Sequence, residues 1–146
     1  MKDEKRYEYI TNKLGKDYIL RCNYFFSEKD KVIYDAMNKG VEQATGDVIG
    51  ILNSDDFYTH PEVISRLIQK MEDENADSVY ADLQYVKSED SKTVTRHWES
   101  GKFNPNKFKY GWMPPHPTFF VKRKIYESFG RYDSGFAISG DYELML

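Results

Sequence analysis

Apolar positions along this chain alternate between helical spacing and short continuous runs. Tyr7, Ile10 and Leu14 share one face and Gly15 follows as a stop, which predicts a helix from Asp3 to about Leu14. Tyr18 to Phe26 is rich in β-formers and predicts a strand, with a charged loop over Ser27 to Lys31. A second helix is predicted from about Val32 to Ala44. Met37, Gly40, Val41 and Ala44 fall there at the three-and-four spacing of a helix packed closely on a sheet. Gly46 stands where a left-handed stop belongs.

The stretch Val48-Ile49-Gly50-Ile51-Leu52-Asn53-Ser54-Asp55-Asp56 follows, an apolar run that ends in two adjacent carboxylates. A short apolar run bounded by turn residues reads as a buried strand. Thr59-His60-Pro61-Glu62 has the form of a capping box with proline in the first turn. The helix it starts carries Val63, Ile64, Leu67, Ile68 and Met71 on one stripe and ends near Asn75. Helix, strand, helix in that order is an α/β signature. Further on, Ser78 to Val86 predicts a strand and Thr93 to Trp98 its antiparallel return, with Ser88 to Lys92 as the turn. Gly101 to Pro117 is irregular and rich in proline and aromatics, a binding loop or a plain connector. A short strand over Thr118 to Val121, a helix over Arg123 to Phe129, a loop over Arg131 to Gly140 and a helix opening at Asp141 complete the pattern.

Composition narrows the class. The 146 residues suit one domain spanning 1–146, and the formal charge of −3 argues against nucleic acid as a partner. The lone Cys22 cannot form an internal disulfide and reads as a buried thiol. The N-terminus lacks the apolar run of a signal peptide, and no segment approaches the roughly 20 apolar residues of a membrane helix. A cytoplasmic chain without a transmembrane segment is therefore expected. The 12 Tyr and 9 Phe are enough for a sugar-stacking surface, but core packing uses most such residues.

Three groups can carry chemistry. Asp55 and Asp56 follow the buried strand, where an α/β sheet keeps its binding crevice. Two carboxylates suit a divalent cation shared with substrate phosphates better than a closed calcium cage. A polar turn, with Asn53 and Asp55 bonded to the backbone, accounts for the same residues. His116, inside Met113-Pro114-Pro115-His116-Pro117, is held by prolines and can meet a metal or a diphosphate, or serve structure alone. Asp141, inside Ser139-Gly140-Asp141-Tyr142-Glu143, reads as a helix cap or as a general base.

In this order the groups resemble the family 2 glycosyltransferases. The residues carrying the resemblance are Ile33-Tyr34-Asp35-Ala36-Met37-Asn38-Lys39-Gly40, then Ala44-Thr45-Gly46-Asp47 running into Val48 to Asp56. They continue in Pro115-His116-Pro117-Thr118-Phe119-Phe120-Val121 and Ser139-Gly140-Asp141-Tyr142-Glu143-Leu144. The resemblance implies the α/β, Rossmann-like GT-A fold of nucleotide-diphospho-sugar transferases, with a mixed sheet flanked by helices. It also implies sugar transfer with inversion from a nucleotide-sugar donor to a glycan or lipid-linked acceptor, as in cell-surface polysaccharide biosynthesis.

Asn53-Ser54-Asp55-Asp56 would then stand at the family's DxD position. Asp55 would hold the metal, Mn or Mg, and Asp56 would lie toward the ribose or sugar. Asn53 replaces a frequent aspartate there with a neutral oxygen. Asp141 would be the catalytic base and His116 would sit near the diphosphate, with Asp35 and Asn38 edging the donor pocket. Against the family pattern the chain lacks the first nucleotide-binding strands and the C-terminal tail. A homodimer covering an exposed sheet edge is one expectation from that departure, and an inactive interaction module is the alternative function. A nucleotidyltransferase is a third reading, weakened because this N-terminus has no glycine-rich phosphate loop.

Overall fold

The computed structural model describes Asp30 and residues 32–146. The expected first helix, first strand and Cys22 lie outside the described residues. Helix α1 (Ile33–Gln43) turns Tyr34 and Val41 into the core, with Met37 and Ala44 partly buried beside them. The closely packed glycine expected within this face is absent. Gly40 is exposed, with nothing near the place of a Cβ, and Tyr34 fills the face instead. Gly46 is not the helix stop either, because the helix ends on an extended Ala44, and the left-handed glycines are Gly101, Gly111 and Gly130. The Gly46 carbonyl accepts from Arg123 Nε at 3.0 Å, which ties the turn after α1 to a later corner of the fold.

Strand β1 (Val48–Gly50) leads through the acidic turn to α2 (Val63–Asp73). The expected capping box does not form. The helix starts after Glu62, whose N–H donates to His60 Nδ1 at 3.2 Å, so a histidine takes the place expected of Thr59. Leu67 and Met71 are buried, whereas Ile64 of the same stripe is exposed. At the other end Asn75 is left-handed (φ 49°), and the N–H of Ala76 reaches Met71 O at 2.9 Å. That six-to-one bond satisfies a carbonyl the helix leaves free.

The strand expected over Ser78 to Val86 is two strands in two sheets: β2 (Ser78–Val79) and β3 (Leu83–Val86). Between them, side chains replace the ladder. Thr118 Oγ1 accepts from the Ala81 N–H at 3.2 Å, Thr118 and Ser100 hydroxyls donate to Ala81 O, and Asp82 accepts from the Ser100 N–H at 2.8 Å. With its backbone satisfied this way, the chain can leave one sheet for another. Strand β4 (Val94–Trp98) returns antiparallel to β3 as expected, with an irregularity between Tyr85 and Val86.

Strand β5 (Phe120–Lys122) lies between β1 and β2 and is antiparallel to both. The outer two therefore run in the same direction, joined by the α2 crossover, with a late strand between them. Every strand pair among the described residues is antiparallel, in place of the mixed pairing expected. Neighbouring residues of a strand face opposite sides. Val121 accordingly joins Tyr34, Val41, Ile49, Tyr126 and Tyr132 beneath α1 and α3 (Arg123–Phe129), and Phe120 joins Leu67 and Met71 beneath α2. Gly50 makes room for Phe120, since a Cβ there would stand 2.3 Å from the ring. A short helix, α4 (Gly140–Met145), closes the described chain.

Candidate active site

The turn after β1 is built from its own polar groups. Asp56 N–H donates to Asn53 O at 3.1 Å, and Asn53 Nδ2 donates to Asp56 Oδ2 at 2.9 Å. The neutral amide at position 53 thus holds Asp56 through its side chain. Asp55 is exposed, and its carboxylate has no hydrogen bond or ion pair among the described residues.

His116 opens a single 3-10 turn (His116–Thr118) behind the buried Pro114 and Pro115. Its Nε2 lies 2.7 Å from the Tyr132 hydroxyl, and the two rings meet edge to face. Burial pushes the imidazole below its ordinary value, while the Asp141 and Asp56 carboxylates pull it the other way. Carboxylates from two distant segments thus act on the one imidazole. Burial also holds the Tyr132 hydroxyl far above the ordinary tyrosine range, reinforced by Tyr126, Asp141 and Tyr34, so it remains a neutral O–H.

Asp141 is the second residue of α4. The N-cap is Ser139, not Asp141. The carboxylate accepts instead from the Tyr34 hydroxyl, 3.2 Å from Oδ1.

The two candidates on α1 have partners of their own. Asp35 pairs with Lys39 at 3.1 Å, and Lys39 also reaches Asp30 at 2.7 Å. Asn38 gives its amide to a backbone: Nδ2 donates to Tyr132 O at 2.7 Å, and Oδ1 accepts from Tyr132 N at 3.0 Å. It holds the Tyr132 loop on α1.

Tyr34 and Tyr132 escaped the sequence reading. A tyrosine on a helix stripe reads as core, and the partner that distinguishes Tyr34 is 107 residues away. The tyrosine-rich composition was the signal that could have prompted a search.

No group of three or more His, Cys, Asp or Glu among the described residues forms a closed ion cage. An exposed, unpaired Asp55 beside a held Asp56 fits the alternative arrangement, in which one or two carboxylates share a hard cation with substrate phosphates.

Helices packed on the β1–β5–β2 sheet, with paired carboxylates in the turn after β1, define an α/β protein with a candidate site beyond the end of β1. The chain belongs to glycosyl transferase family 2, which it matches over residues 4–138. That family implies a GT-A-like α/β fold. The chain is 29% identical over 124 residues to an uncharacterised glycosyltransferase of Mycobacterium tuberculosis, covering 84% of this chain and 46% of that protein. It is 26% identical over 120 residues to a PGL/p-HBAD biosynthesis glycosyltransferase of Mycobacterium bovis, covering 82% of this chain and 44% of the relative. The chain thus spans about half the length of the curated relatives it matches. No solved structure matches it significantly. No helix among the described residues is long and apolar enough to cross a membrane.

Proposed function

We propose that this domain transfers a sugar, with inversion, from a nucleotide-diphosphate donor to an acceptor hydroxyl. The observation that carries the reading is the Tyr34–Tyr132 stack, which brings the Asp141 carboxylate and His116 together from separate segments. Asp141 takes the proton of the acceptor hydroxyl as its oxygen attacks the anomeric carbon. A single displacement from the face opposite the leaving group inverts that carbon. His116, fixed by Tyr132, offers its second imidazole nitrogen to a diphosphate oxygen. Asp56, braced by Asn53, faces the ribose or sugar.

Asp55 would hold a divalent cation, Mn or Mg, together with the diphosphate, and the cation when bound supplies Lewis-acid stabilisation of the departing nucleoside diphosphate. The acceptor proposed is a glycan or a lipid-linked molecule of cell-surface polysaccharide synthesis, with the reaction in the cytoplasm. One relative's name, which refers to PGL/p-HBAD biosynthesis, is in keeping with a biosynthetic acceptor. The family match does not favour an inactive interaction module.

Titration calorimetry with UDP- and GDP-sugars, with Mn²⁺ or with EDTA, tests the reading alongside chromatography of released nucleoside diphosphate. Metal-dependent binding and release are expected for at least one donor. A folded protein that binds no nucleotide sugar in either condition would rule the reading out.

A further inference from the structure

We infer that Tyr34 is a positioning residue for Asp141, so that α1 sets where the proposed base stands. The inference rests on the transfer reading above. Asp141 is the second residue of α4, and Tyr34 of α1 touches both its carboxylate and the glycine before it.

Its hydroxyl donates to Asp141 Oδ1 at 3.2 Å. Its ring lies where a side chain at position 140 would begin: a Cβ on Gly140 would come within 2.8 Å of a ring carbon. Glycine at 140 is therefore what lets the turn settle against the ring. The residue before it, Ser139, is held left-handed at φ 67°. A non-glycine residue stays in that conformation only when its surroundings over-determine it. Here the turn leads directly into the Tyr34 contact.

The ring is fixed in turn. It stacks on Tyr132 with centroids 5.7 Å apart and planes 13° from parallel. Tyr132 is clamped through its backbone by Asn38, one helical turn along α1 from Tyr34, and its hydroxyl meets His116. Asp141 and His116 are thereby located by one stack of two rings, and a shift of either ring moves both.

A buried tyrosine also finds an acceptor for its hydroxyl in ordinary cores, so the test must separate positioning from packing. Tyr34→Phe keeps the ring, its stacking and its fit against Gly140, and deletes only the hydroxyl. With ¹³C-labelled aspartate, the Asp141 carboxyl resonance is identified by its loss in Asp141→Asn. In Tyr34→Phe that resonance is expected to move while Tm stays near the parent value. A hydrogen bond to a charged group is lost, so kcat is expected to fall roughly tenfold with KM for the donor unchanged. Gly140→Ala, with Tyr34 intact, is expected to move the same resonance from the other side of the contact.

A Tyr34→Phe protein with the parent's resonance and kcat would overturn the inference and leave Tyr34 as core. If the parent transfers no sugar but the resonance still moves, the transfer reading falls and the fixing of Asp141 by Tyr34 stands.

Discussion

The turn after β1 and the group around His116 carry the candidate chemistry together, yet they are held by opposite means. Around His116 each side chain already has an internal partner that holds it: His116 has Tyr132, Tyr132 has Asn38, and Asp141 has Tyr34. In the turn, Asn53 braces Asp56 and leaves Asp55 in solvent without a partner among the described residues. One side is organised before substrate arrives. In the proposed reaction the other would gain its remaining partners from the metal and the diphosphate. A base must stand at a fixed distance from the proton it takes, whereas a metal-diphosphate clamp is completed by the substrate's own oxygens.

Paired substitutions separate the two sides. Asp141→Asn should lower transfer by about 100-fold or more, the usual scale for loss of a general base. Donor affinity should barely change. Asp55→Ala should also lower transfer, through weaker metal-dependent donor binding that excess Mn²⁺ partly restores, with Tm in place. Calorimetry and initial rates distinguish the patterns. Equal loss of donor affinity in both variants would erase the difference between the two sides.

A smaller effect is expected in stability. Asn38→Ala removes both bonds to the Tyr132 backbone and should cost about 1–3 kcal/mol in urea unfolding. If Asp55→Ala destabilises as much, the turn is as built-in as the His116 side and the contrast collapses.

The smallest effect is in pH. Burial lowers the His116 value from 6.5, so below pH 6.5 the unfolded chain takes up a proton that the folded chain still refuses. The stability held above pH 6.5 is lost as pH falls toward the lowered folded value. His116→Gln should flatten that part of the Tm-against-pH curve. An unchanged slope would show that other groups set it.

Much of this was legible in the residues. The span Arg123–Phe129 is a helix as read, and the turn from β3 to β4 is where charged residues interrupt two apolar runs. Helix α1 and strand β1 differ from their expected limits only at the ends. Asp56, His116 and Asp141 were marked by their settings: carboxylates after an apolar run, a histidine among prolines, a carboxylate opening a helix. Asn38 was marked too, but its amide holds Tyr132, a use that depends on a loop far along the chain.

Other errors share that cause. Ser78 to Val86 reads as one strand because its composition is uniform. It breaks because Thr118 and Ser100 satisfy the Ala81 backbone from elsewhere. Gly46 reads as a helix stop from its place after Ala44, but Arg123 uses its carbonyl and no left-handed turn is needed.

By itself the sequence determined the α/β class, the order of most elements and the residue types that can bind a diphosphate or take a proton. These follow from spacing and neighbours within a few residues, where helical and strand periodicities act. Tertiary structure alone decided that β5 lies between β1 and β2, that Asn53 braces Asp56, and that Tyr34 meets Asp141. Pairing across such distances depends on which faces the packed helices and sheet bury together, and local periodicity carries no record of that choice.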